Sequence, residues 1–171
     1  MTAAHARHTP NREMAMLTLS TSDMLWYIDH ALDEMVAIVI ALGDDLANAR
    51  PDLPGANSPY VILTHCLGVM EYWGGRMIAG RSIVRDRAAE FVATGATAEL
   101  ARRAVAARDQ LEADIAGMDA TAPPPAAPDP DDTELPLGRT QGGVLLHIYE
   151  ELSQHLGHME ITRDILRARL S

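Results

Sequence analysis

The sequence predicts an all-α fold, a four-helix bundle, and three observations carry that prediction. In four long segments the apolar residues recur at alternating steps of three and four, the period of a helix with one buried face. No segment shows the apolar–polar alternation of a half-buried strand, and there is no internal repeat. The stretch TAPPPAAPDPDD at 121–132 holds too many prolines for a helix or a central strand, so it reads as a long loop. Four helices of about 20 to 30 residues with apolar seams close most simply into a bundle.

Residues 1–20 lack periodicity and are expected to be a flexible lead-in, with 21–171 forming a single helical domain. The first helix follows, its seam running through Leu25, Ile28, Leu32, Met35, Val39, Leu42 and Leu46. Ser22 with Asp23 is the expected N-terminal cap, and Arg50-Pro51 with Pro54-Gly55 stops the helix. Ser58-Pro59 opens the second helix, serine as cap and proline where its missing N–H costs nothing. Its stripe is Ile62, His65, Cys66, Val69, Tyr72 and Trp73; Gly74-Gly75 either weakens the helix or admits a close neighbour, and Gly80 ends it. The segment GRSIVRDRAAEFVATG, 80–95, mixes both charge signs and is partly helical at most. A third helix is expected from Thr97 to Met118, with an alanine-rich stripe through Leu100, Ala104, Ala107, Leu111 and Ile115. Thr140 caps the last helix, which reaches Leu170.

Charge and composition narrow the function. Fourteen basic residues, all arginine, against 24 acidic ones leave a net charge of −10, and aromatics are 4%. A net acidic chain with neither a basic tail nor stacking platforms is a poor nucleic-acid binder. No apolar run approaches the roughly 18 residues of a membrane span. MTAAHARHTPNRE has no hydrophobic signal core, and a single cysteine excludes an intrachain disulfide, so a cytoplasmic protein is expected.

The chemistry concentrates in HIYEELSQHLGH, 147–158. The seam of this helix is Leu145, Ile148, Leu152, Met159 and Leu166. At about 100° per residue, His155 lies roughly 45° from the seam and Glu151 roughly 85°, while His158 lies roughly 105° and His147 roughly 125° away. His155 is therefore inward, and Glu151 leads His158 only narrowly for a place on the shoulder. His147 and Glu150 are expected to meet solvent. His65 lies in the inward stripe of the second helix. Two inward histidines and a shouldered carboxylate need compensation, since an unpaired buried carboxylate is costly. A divalent cation would satisfy all three and leave a fourth position open, a set that zinc accepts and that nickel or iron also tolerates. Cys66, one residue from His65, points about 100° away and reads as a small core thiol.

Together THCLGVMEYWGGRMIAGR, RDRAAEF and HIYEELSQHLGHMEITRDIL resemble the DinB-like four-helix metalloproteins. They are most similar to the actinobacterial branch related to mycothiol-dependent S-transferases and maleylpyruvate isomerase, over Leu25 to Leu170. The resemblance implies up-down-down-up topology with a long crossover between the second and third helices, for which Gly80–Thr97 is long enough. It also implies a metal held by a histidine of the second helix and a pair four apart on the last, here His65, Glu151 and His155; that spacing decides against His158. Only the N-terminal bundle of the isomerases is covered, so an isomerase activity is not expected. Family members also often dimerise, and a homodimer is compatible with the thin stripe of the third helix.

The reading is then a metal-dependent S-transferase using a small thiol such as mycothiol on a small electrophile. The alternative is a bundle that binds a metal or small ligand in a stress response without turnover. A third reading, a purely structural bundle, would leave His65 and His155 as hydrogen-bonded core residues. Arg76, Arg81, Arg85 and Arg87 are more readily a salt-bridged surface than a receptor for the thiol.

Overall fold

Ser20 starts the first helix, α1 (Thr21–Asn48). The Asp23 N–H donates to Ser20 Oγ at 3.0 Å, and the Ser20 N–H donates back to the Asp23 carboxylate at 3.3 Å, a reciprocal capping box. The cap therefore lies two residues before the expected Ser22, and Asp23 serves as its partner. The structure is a computed structural model and describes residues 18–127 and 139–169. Most of the expected lead-in and the far part of the proline-rich loop lie outside the described residues. At Gly43 the backbone turns to φ 68°, ψ 174°, a conformation that suits glycine, so α1 is interrupted within its expected seam.

Ser58 caps α2 (Pro59–Val69), accepting from the Val61 N–H at 3.2 Å, with Pro59 in its first turn. Every residue of α2 but Gly68 is buried, so the single stripe expected of it is too narrow. α2 runs without a break into a π-helical segment, Met70–Ile78. Gly74-Gly75 does not end the helix. A Cβ on Gly74 would lie 2.6 Å from Leu111 Cδ1, and one on Gly75 would lie 2.4 Å from an Arg81 guanidinium nitrogen. Close approach is what the two glycines provide. The wider coil that results is the kind of π-bulge often found beside functional sites.

The crossover contains one short helix, α3 (Arg87–Glu90), capped by Asp86, and is otherwise irregular. α4 (Thr97–Ile115) is one turn shorter than expected, and α5 (Gln141–Ala168) begins at the predicted cap, where Thr140 Oγ1 accepts from the Gly143 N–H at 3.0 Å. No described helix is long and apolar enough to cross a membrane.

Cross-links between helix ends define the topology. The Asn48 amide at the end of α1 donates to Gly95 O, just before α4, at 2.8 Å, and Tyr60 at the start of α2 packs against the same glycine. Arg108, late in α4, pairs with Asp29 and Asp33, early in α1. α2 and α4 thus run parallel to each other and antiparallel to α1. The start of α5 is tied to the end of α4 through the Gly142 N–H to Ala120 O, and Arg169 reaches back to Arg50 O. α5 is therefore parallel to α1, giving up-down-down-up, as expected. Ile28, Leu32, Met35, Leu63, Leu111, Ile148 and Leu152 meet in the core, with α2 as its central element.

Candidate metal centre

One turn of α5 separates Glu151 from His155, which brings both side chains to the same face opposite α2. There Glu151 Oε2 lies 3.5 Å from His65 Nε2 and 3.5 Å from His155 Nε2. One ligand atom from each of the three residues lies within 4.8 Å of the others. His65 is buried, whereas Glu151 and His155 keep about a quarter of their side chains exposed (26% and 27%), so the site opens from α5 outward.

These separations are long for hydrogen bonds and short for groups without a common partner. Ligands about 2.05 Å from a tetrahedral ion stand roughly 3.3 Å apart, close to the two separations Glu151 makes, so the three residues could hold a metal ion. The electrostatics point the same way. Attraction from the imidazoles of His155 and then His65 outweighs burial and holds the Glu151 carboxyl far below the usual carboxylate range. Burial opposes a charge on His65, but Glu151 and Glu90 overcome it and raise that imidazole above its ordinary value.

A pH dependence follows, with a definite sign. Because the folded value of His65 is raised, the proton stays on the metal-free site to higher pH, and metal must displace it. Zinc affinity, measured by chelator competition, is expected to rise with pH by about tenfold per unit for each proton displaced, up to the raised His65 value. A flat profile from pH 6 to 8 would exclude His65 as a ligand.

His65 has a second anchor. Its Nδ1 lies 2.9 Å from Glu90 Oε2, and Arg85 donates to both Glu90 oxygens, at 2.6 and 2.8 Å. The Phe91 ring packs beside the imidazole at 5.4 Å. His147 corrects the sequence reading: it is buried, not solvent-facing, with its ring 4.8 Å edge-on to Trp73 and its Nε2 4.0 Å from Glu151 Oε1. The helical wheel measured burial from a single seam, but α5 packs on α1, α2 and the π-helical segment together, and Trp73 covers His147. Glu150 and His158 are exposed, as expected. Cys66 is a core thiol against Met35 Sδ at 3.8 Å, and burial pushes its pKa far up.

Beside the triad, Val69, Trp73, His147, Arg85 and Arg87 line a cavity of about 60 Å³ that also touches His65 and Glu151. That is room for a sulfur-sized group and little more. A larger space of about 270 Å³ lies between the π-helical segment and α4, but it includes none of the three residues. Of the four arginines, Arg81 pairs with Asp114 and Arg85 with Glu90, while Arg76 lies over Tyr72. Arg87 lines the small cavity.

The fold and the arrangement of these side chains define a DinB-like helical bundle with a cluster able to hold a metal ion. The chain belongs to the mycothiol S-transferase family, whose family model, described as Mycothiol-S-transferase, matches residues 23–168. In fold it is similar to the crystal structure of a conserved protein from Enterococcus faecalis, with a TM-score of 0.65 at 12% identity over 89% of this chain and 99% of that one. No curated protein matches it.

Glu90, Trp73 and the inward His147 were not singled out as site residues from the sequence. RDRAAEF carried part of the family resemblance, but nothing in its pattern distinguishes Glu90 from its charged neighbours. For Trp73 the inward stripe was the available signal.

Proposed function

We propose that this chain is a divalent-metal-dependent S-transferase that joins a low-molecular-weight thiol of the mycothiol type to small electrophiles. The observation that carries the proposal is the convergence of His65 Nε2, Glu151 Oε2 and His155 Nε2 beside a cavity of about 60 Å³. The family match supports the thiol class. A bound cation, zinc first and nickel or iron also compatible with two nitrogens and an oxygen, would lower the pKa of a thiol presented at the open position.

The chain's own residues do the rest. His65, Glu151 and His155 hold the ion, and Trp73 with Val69 walls the sulfur's side of the cavity from water. His147 Nε2, facing Glu151 across that cavity, is placed to accept the proton as the S–H bond is lost. The sulfur then forms a bond to the electrophilic carbon, whose leaving group departs with its electron pair. So small a cavity admits the thiol tip and leaves the remainder of the thiol and the electrophile at its mouth, beside Arg87.

The test is elemental analysis of protein purified without a metal-affinity column, followed by a transfer assay with mycothiol and a fluorogenic electrophile. About one metal per chain with thiol-dependent turnover is the expected result. Metal without turnover for any thiol in a panel would favour the non-catalytic binding bundle, and metal-free protein from metal-replete cells would defeat both.

A further inference from the structure

We propose that Glu90, clamped by Arg85, is the positioning residue of this centre: it accepts the Nδ1 proton of His65 and so aims the bare Nε2 at the cation. The proposal rests on the metal reading above and concerns a residue outside the triad, on the crossover rather than on the bundle helices. Glu90 Oε2 is 2.9 Å from His65 Nδ1, and the Glu90 side chain is 9% exposed. A carboxylate so buried needs partners for both oxygens. Arg85 Nε donates to Oε1 and its terminal nitrogen to Oε2, which leaves a lone pair on Oε2 for the imidazole.

The tautomer follows from the geometry. Were Nδ1 bare, its lone pair would oppose that of a carboxylate oxygen at 2.9 Å. With Nδ1 protonated the contact is a charge-assisted hydrogen bond, and in the neutral ring Nε2 is then free toward Glu151 and His155. Arg85 also approaches Nδ1 at 3.2 Å and its terminal nitrogen has a second proton, but the Glu90 carboxylate at 2.9 Å is the nearer partner and the charged one, so the bond from Nδ1 to Oε2 prevails.

A glycine keeps the seat open. A Cβ built on Gly68 would lie 2.2 Å from Glu90 Oε1, 2.8 Å from Cδ and 3.3 Å from Arg85 Nε. Glycine is a poor residue for the middle of a helix. Here it is the residue that leaves the carboxylate in place. The sequence therefore accepts a helical defect in α2 where the crossover presents Glu90.

Metal affinity and the ligand field of the bound ion test the proposal, with no activity readout required. Glu90→Ala is expected to weaken zinc and cobalt(II) binding about 10- to 100-fold, the usual range for loss of a carboxylate behind a ligating histidine. Glu90→Gln is expected to lose less, because its amide oxygen can still accept the Nδ1 proton, and to shift the cobalt(II) absorption bands. Gly68→Ala displaces the carboxylate without deleting it, so it is expected to weaken metal binding while helix content stays at the wild-type level; it also serves if Glu90→Ala does not fold. Wild-type affinity in Glu90→Ala, or in Gly68→Ala where Glu90→Ala does not fold, overturns this inference and leaves the metal centre standing. A wild-type chain that takes up no metal overturns both.

Discussion

Glu151→Gln is expected to lose the metal and, with it, thiol transfer. The carboxylate is the group common to the cluster, 3.5 Å from both His65 Nε2 and His155 Nε2, with His147 at 4.0 Å from its other oxygen. Glutamine keeps the shape and removes the charge, so a divalent ion would sit in a half-buried site with neutral ligands only. Removing a group that merely orients a ligand costs 10- to 100-fold in affinity, and losing the charged ligand itself should cost more than about 100-fold. Thermal unfolding reads the difference without an assay of activity. Metal at about 1,000 times its Kd stabilises the folded state by about 4 kcal/mol, or roughly 8–16 °C in melting temperature for a chain of this size. Wild type is expected to show that rise with zinc and to lose it with chelator, whereas Glu151→Gln, at no more than about ten times its weakened Kd, is expected to keep at most about 1.4 kcal/mol of it, roughly 3–6 °C. An equal rise in both proteins would remove Glu151 from the proposed ligand set, and with it the basis for placing the open position beside Trp73.

The parts of this molecule that could be read from the sequence are those governed by local rules. Ser58, Pro59 and Thr140 sit where capping chemistry puts them, and the three-four spacing of Leu25, Ile28, Leu32 and Met35 is enough to identify α1. Glu151 and His155 share a face because four residues make about one turn, and the structure brings His65 to them across the bundle. What escaped depends on partners far along the chain. Gly74-Gly75 reads equally as a helix break or as a close contact, and only Leu111 and Arg81 decide between them. His147 looked exposed because a wheel drawn from one seam assumes one buried face, and α5 packs on α1, α2 and the π-helical segment together. Glu90 is the hardest case: its partner is 25 residues away, and the crossover that presents it has no period to phase.

That crossover is anchored at its start by Arg81, and this anchor gives the other large effect. Arg81 donates to Asp114 through Nε at 2.9 Å and a terminal nitrogen at 2.7 Å, and the Gln110 amide adds a third bond to the same carboxylate at 2.9 Å. The Asp114 side chain is 3% exposed, against 35% for Arg81. Arg81→Ala would leave the carboxylate buried with one neutral donor. Breaking a fully buried pair costs about 3–5 kcal/mol; allowing for the partial exposure of Arg81, about 2 kcal/mol is expected, a fall in melting temperature of roughly 4–8 °C. The double change Arg81→Met with Asp114→Leu removes the stranded charge and should recover most of that loss, since apolar replacement of both partners is often neutral. Equal losses in the single and double variants would mean that packing, rather than the uncompensated carboxylate, sets the cost. Arg81 lies three residues past the end of the π-helical segment that carries Trp73, and it precedes Arg85 by four residues. Releasing it frees the chain between the π-helical segment and Glu90, so a fall in metal affinity should accompany the fall in stability of Arg81→Ala, and the double variant, which also lacks the tie, should recover stability without recovering that affinity.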